Sequence, residues 1–199
     1  MQKFILSCCL LLLLSACSVF GPKQDRTRWQ VAQEYEKAFS SNGRLSVNFN
    51  GRGYSAHFDW EKYADQEQLD VKTPLGSTVG QICKDQIGLV AVSGANKFYA
   101  DSIDQLAKNL MGFDLPLENL PFWMQGIIVP NIPHHIDQEG NLQQMGWSIK
   151  RTVWADQPSK PRRLELTRKD LDIRIVFDDF TTLTDTQIHQ LCQIRTENI

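Results

Sequence analysis

Arg44-Leu45-Ser46-Val47-Asn48-Phe49-Asn50-Gly51-Arg52-Gly53-Tyr54-Ser55-Ala56-His57-Phe58-Asp59-Trp60 is the stretch whose reading decides the fold. Leu45, Val47 and Phe49 alternate with polar residues, and Tyr54, Ala56, Phe58 and Trp60 do so again after Asn50-Gly51-Arg52-Gly53. A period of two on both sides of an Asn-Gly turn predicts a β-hairpin with one apolar and one polar face. A sheet built from such strands has one greasy face, which another layer must cover unless the sheet curls on itself.

The same pattern continues C-terminally. Leu69 and Val71 begin a third strand, which Thr73-Pro74-Leu75-Gly76-Ser77 interrupts. Proline donates no ladder hydrogen bond and glycine favours turns. Residues 78–83, 87–92 and 97–100 read as three further strands with short turns between them. A second set follows. Trp147, Ile149 and Val153 alternate, Asp156 to Pro161 reads as a turn, and Leu164 and Leu166 lead through Lys169-Asp170 to Ile173, Ile175 and Phe177. The total is roughly nine to eleven strands, antiparallel because their turns are short, so the fold class is mainly β (α+β).

Three helices are predicted. Trp29, Ala32, Tyr35 or Glu36, and Phe39 recur at helical spacing, which predicts an amphipathic helix from about Arg26 to Phe39, stopped by Ser40-Ser41-Asn42-Gly43. Between the two strand sets, Ser102 and Gln105 form a capping-box pattern. Ile103, Leu106, Ala107, Leu110 and Met111 make the apolar face of that helix, and Gly112 ends it. A short helix within Leu115 to Gly126 carries Leu120, Trp123 and Met124, and Pro121 is tolerated there if Asn119 caps it. Gly126 to Asn141 reads as loop. Helices lying over a curved sheet would enclose an apolar cavity; a filled core fits the same periodicity.

The N-terminus sets the compartment. Lys3 precedes a nearly unbroken apolar run over Ile5 to Leu14, and Ser15 and Ala16 lead into Cys17. Charged start, apolar core and small-residue cleavage site make a secretory signal peptide over residues 1–16. The run is too short to span a membrane, which takes about 20 apolar residues. Leu14-Ser15-Ala16-Cys17 resembles the bacterial lipobox, which implies acylation of Cys17, and Ser18 in place of aspartate favours the outer membrane. Three acyl chains anchor a protein stably, since two already suffice. Residues 17–27, with Gly21 and Pro22, read as a lipidated tether.

Removal of residues 1–16 leaves 183 of 199 residues, enough for one domain with a real core, placed over residues 28–180. Losing Lys3 takes the formal charge from −2 to −3. Without a basic surplus for counterion release, a nucleic-acid partner is excluded. Cys83 and Cys192 remain after the signal and the anchor, in an oxidising compartment where a disulfide is permitted. Nothing in the sequence shows that they meet. Residues 181–199 form a polar tail of weak helical spacing and no assigned role.

Catalytic chemistry is missing. There is no G-x-S-x-G elbow, phosphate loop, dinucleotide fingerprint or H-E-x-x-H motif. His57, His134, His135 and His189 read as solvated surface and Asp178-Asp179 as a strand end, so no catalytic residue, metal or cofactor is expected. Leu75 is the odd residue. It stands between Pro74 and Gly76 at a turn tip, where polar residues are usual. It either folds back onto the core or is an exposed apolar probe for lipid or a greasy partner.

Four features in this order resemble the LolB family of Gram-negative outer-membrane lipoprotein receptors. They are the lipobox at Cys17, Thr73 to Ser77 after the third strand, Tyr99-Ala100-Asp101 before the capped helix, and Leu115-Pro116-Leu117-Glu118-Asn119-Leu120 followed by Trp123 and Gly126. The resemblance covers roughly residues 14–180. It implies an open, incomplete antiparallel β-barrel of about eleven strands with a lid of short helices, in a monomer anchored to the outer membrane and facing the periplasm. It implies acceptance of lipoproteins from a LolA-type periplasmic carrier, shelter of their acyl chains in the concave face, and insertion into the outer-membrane bilayer. Pro74, Leu75 and Gly76 match the family's protruding loop, whose leucine acts in insertion. Alternation names Leu45, Val47, Phe49, Phe58, Trp60, Trp123, Met124, Trp147 and Ile149 as cavity-lining candidates. The alternative is a structural or assembly lipoprotein that binds an envelope protein and has no lipid cavity. A lipid-acting hydrolase is disfavoured because no nucleophile–base pair is visible. Pro121, the segment from Ile128 to Asn141 and the tail from Thr181 depart from the family's pattern.

Overall fold

The structure is a computed structural model and describes residues 28–32, 35–63, 65–183 and 191–192. Eleven strands form one antiparallel sheet: β1 (Phe39–Phe49), β2 (Arg52–Tyr63), β3 (Gln66–Lys72), β4 (Thr78–Asp85), β5 (Gly88–Ser93), β6 (Asn96–Tyr99), β7 (His134–Ile136), β8 (Leu142–Gln144), β9 (Trp147–Trp154), β10 (Gln157–Arg168) and β11 (Leu171–Thr182). Two helices are described, α1 (Ile103–Met111) and α2 (Leu120–Met124).

The spatial order is β6-β5-β4-β3-β2-β1-β11-β10-β9-β8-β7. The sheet is therefore open, with β6 and β7 as its edges. It consists of two meanders, β1–β6 and β7–β11, joined at the centre where β1 pairs with β11. The chain leaves the first meander at one edge and enters the second at the other. The intervening segment, residues 100–133, must cross the whole sheet, and it carries both helices. The lid is thus a consequence of topology as well as of amphipathic pattern.

The hairpin pairs as its alternation predicts, with Leu45 opposite Ala56, Gly43 opposite Phe58 and Ser41 opposite Trp60. Leu45, Val47, Phe58, Trp60, Leu69, Ile82, Ile149, Leu164, Ile173 and Phe177 turn inward and share one core with Leu106, Leu117, Leu120 and Trp123 from the lid segment. Opposite in parity to Ile82, Cys83 faces the other side and forms a separate small cluster with Val90 and Cys192.

Several expected boundaries move. Residues 28–32 and 35–38 are not helical, and β1 already begins at Phe39, so the helix expected over Arg26 to Phe39 is absent from its described residues. Its apolar residues each bury separately. Gln30 bridges to Ile127, Trp29 is buried, Tyr35 packs on Phe122 with centroids 4.1 Å apart, and Phe39 is fully buried against Trp60 and Phe180. An extended chain that buries every third or fourth residue mimics a helical period. Ser40 to Gly43 continues β1 rather than stopping a helix, through a bulge between Asn42 and Gly43. A Cβ on Gly43 would overlap the Val176 carbonyl oxygen, so this glycine serves close approach of backbones.

Elsewhere, β7 lies within the expected loop from Gly126 to Asn141. Strand β10 begins at Gln157, with register shifts around Pro161, inside the stretch expected to turn. Strand β11 continues to Thr182, because Thr181 and Thr182 pair with Ser40 and Phe39, so the tail starts later than Thr181. The signal peptide over residues 1–16, Cys17, the tether over 17–27, His189 and most of the tail lie outside the described residues.

Candidate functional site

Two features of the β2–β3–β4 region carry the site: an exposed turn and an apolar cavity beneath the lid. The turn links β3 to β4. Gly76 N donates to Thr73 O at 2.8 Å, Thr73 N donates to Ser77 O at 2.8 Å, and Ser77 N donates to Thr73 Oγ1 at 3.2 Å. Pro74 sits where a four-residue turn favours it, and Gly76 adopts φ 89, which a β-carbon would resist. Held this way, Leu75 is 95% exposed. It does not fold back onto the core. Pro74 and Gly76 are exposed beside it.

The cavity is lined by Leu45, Ala56, Phe58, Trp60, Leu69, Val71 and Ile175 from the sheet, with His57, and by Met111, Leu115, Leu117 and Leu120 from the lid segment. Its volume is about 30 Å³. That is one water molecule's share of the liquid, far less than an acyl chain needs. Ala56, Val71 and Met111 are half-buried, whereas Trp60, Leu69 and Leu120 are buried. The more exposed end of the cavity, its mouth, is thus taken at Val71, and its more buried end at Trp60. Val71 lies close in sequence to the exposed turn, so mouth and turn share one end of β3.

Of the lining candidates, Leu45, Phe58 and Trp60 border this cavity. Val47, Trp123, Met124, Trp147 and Ile149 are buried in the adjoining core, and Phe49 is half-buried at its rim. Sequence reasoning missed Ala56, Leu69, Val71 and Ile175 as lining, although each lies on the apolar parity of its strand. It also missed the lid residues Met111 and Leu120, which it read as helix faces, and Leu115 and Leu117, which it quoted only for the family resemblance.

The lid is fastened unevenly. Ser102 Oγ caps α1 by accepting from Gln105 N at 3.2 Å, and Gly112 ends it at φ 81. Against the sheet α1 offers apolar contact, with Leu110 lying over Gly80. Helix α2 is held by polar bonds. Trp123 Nε1 donates to Gln144 Oε1 at 3.0 Å, and Gln144 Nε2 donates to Val129 O at 2.9 Å. Arg151 Nε donates to Met124 O at 2.6 Å, and its Nη2 to Ser159 O at 3.1 Å. Burial lowers the Arg151 pKa to about 10. Asn119 precedes α2 without a side-chain cap, and Pro121 lies in its first turn.

The remaining candidates are surface features. His134 and His135 are exposed on β7, and Asp178 pairs with Arg44 at 2.9 Å. Cys83, Asp85 and Cys192 are the His/Cys/Asp/Glu grouping found among the described residues, but both sulfurs are joined in a disulfide and offer no thiolate. No helix among the described residues is long and apolar enough to cross a membrane.

Comparison with known proteins gives a consistent result. The profile of the family described as outer membrane lipoprotein LolB matches residues 37–180. A protein named outer-membrane lipoprotein LolB from Neisseria meningitidis is 37% identical over 195 residues, covering 98% of this chain and 99% of its own. Its namesake from Chromobacterium violaceum is 33% identical over 180 residues, covering 88% and 97%. Among solved structures, a LolA-superfamily protein of Nitrosomonas europaea is similar with a TM-score of 0.41 and 6% identity, covering 76% of this chain and 89% of its own.

Proposed function

Since the chain belongs to the LolB family of outer-membrane lipoproteins, we propose that it takes lipoproteins from a LolA-type periplasmic carrier, shelters their acyl chains beneath the lid and inserts them into the outer membrane. In this reading Cys17 is the acylated anchor, the domain faces the periplasm as a monomer, and no catalysis is involved. The observation that supports it best is the shared position of the cavity mouth and Leu75 at one end of β3. A chain leaving the mouth finds beside it a leucine suited to contact with lipid.

Exposing acyl chains to water costs about 25 cal/mol per Å² of apolar surface. An apolar interior removes that cost without nucleotide energy, and handover needs only a better fit in the acceptor. As folded, the cavity is nearly filled, so chain entry requires the lid to lift. Helix α1 rests on the sheet through apolar contact, whereas α2 is bonded to β8 and β9.

Leu75→Glu tests the reading. The variant is expected to fold, to accept a lipidated protein from the carrier and to fail at insertion into liposomes. Insertion at the wild-type rate would remove the role of Leu75. A soluble Cys17→Ala form that accepts no lipidated protein would favour the structural or assembly lipoprotein instead.

A further inference from the structure

The apolar interior ends abruptly. Along β2 the inward residues run Ala56, Phe58, Trp60 and then Lys62; along β3 they run Val71, Leu69 and then Glu67. Trp60 Nε1 donates to Glu67 Oε1 at 2.9 Å, and Lys62 Nζ donates to Glu67 Oε2 at 2.8 Å. The Lys62 and Glu67 side chains are 13% and 5% exposed. Phe39 packs edge-on against the Trp60 ring at 5.2 Å. An indole pinned by a buried ion pair thus lies at the more buried end of the cavity.

We propose that Trp60, fixed by Glu67 and Lys62, is the depth stop that sets how long an acyl chain the protein shelters. The inference rests on the acyl-binding reading above and adds a specificity determinant to it. Breaking a buried ion pair is strongly unfavourable, so the pair holds the indole in place. All three residues belong to the sheet, so the stop stays in place when the lid lifts. A chain therefore enters at Val71 and runs along Leu69 and Phe58, and its terminal methyl group halts at the Trp60 ring.

Saturated fatty acids of increasing length, displacing a fluorescent fatty acid from the full chain carrying Cys17→Ala, test this. Wild-type affinity should rise about four-fold per methylene and then level off at one length. In Trp60→Leu the levelling point should move to longer chains. A levelling point unmoved in a variant that still binds overturns the stop. Should Trp60→Leu fail to fold, Trp60→Phe serves with fatty acids brominated at either end. Bromine at the methyl end should quench wild-type tryptophan fluorescence more than bromine beside the carboxylate, and Trp60→Phe should abolish the difference. Equal quenching from both ends in the wild type overturns the stop and leaves the cavity reading standing. Absence of binding by any fatty acid overturns both.

Discussion

Cys83 in β4 and Cys192 in the C-terminal segment are joined by a disulfide that spans 109 residues of sequence, with Cα atoms 5.4 Å apart. Cys192 N also donates to Gln68 Oε1 at 2.8 Å, and Leu191 and Val92 pack against the cluster of Cys83, Val90 and Cys192. Leu191 and Cys192 are thus stapled to the outer face of β3–β5, away from the lid. Closing a loop of this length removes unfolded-state entropy worth about 4–5 kcal/mol. Cys83→Ala combined with Cys192→Ala should lower the unfolding free energy by up to that amount. Urea titration with and without reductant checks it: reductant should destabilise the wild type and leave the double variant unchanged.

Gln144 is a buried amide whose removal should loosen the lid. It accepts from Trp123 Nε1 at 3.0 Å and Val129 N at 3.1 Å and donates to Val129 O at 2.9 Å. Gln144→Leu strands these groups without water. Each unpaired buried group costs ~1–3 kcal/mol. The urea midpoint should fall accordingly, and a fluorescent fatty acid should enter faster, because α2 loses its tie to β8.

Glu67 gives a separate stability test. Glu67→Leu leaves the Lys62 ammonium and the Trp60 N–H without their carboxylate, and breaking a buried pair costs about 3–5 kcal/mol. Lys62→Met together with Glu67→Leu should recover most of that loss. Thermal denaturation of the two variants, compared with the wild type, reads the difference.

Asp137 predicts a local pH response. Its carboxylate accepts from Asn141 N at 2.9 Å, Glu139 N at 2.9 Å and Gln143 Nε2 at 3.0 Å, in the turn between β7 and β8. The backbone bond from Asn141 leads in holding its carboxyl below the ordinary carboxylate value. A depressed folded-state carboxylate supports structure above its unfolded value and loses that support as pH falls through the folded one. The protection of the Asn141 amide, its exchange measured against the intrinsic rate, should therefore fall as pH drops through that lowered value. Asp137→Ala should show fast exchange throughout.

The period-two alternation from Leu45 to Trp60 was sufficient to set strand type, inward face and turn, because side-chain direction in a strand follows sequence parity alone. The capped helix at Ser102 and its stop at Gly112 were readable for the same reason: the bonds that end a helix are local. The spacing of Trp29, Tyr35 and Phe39 misled, since each finds a different distant partner on an extended segment. Gly43 likewise looks like a helix stop, yet its role is set by Val176 on β11.

The sequence by itself determined an antiparallel, mainly β class of roughly nine to eleven strands and the proline-leucine-glycine turn, which rest on neighbours in the chain. Only the tertiary structure decided that β1 meets β11, that residues 100–133 bridge the two sheet edges, and that Cys83 meets Cys192. It also decided that the greasy interior is nearly filled and that Lys62 pairs with Glu67 beside Trp60. These depend on which residues, far apart in sequence, come to lie across the sheet from one another, and no local period carries that.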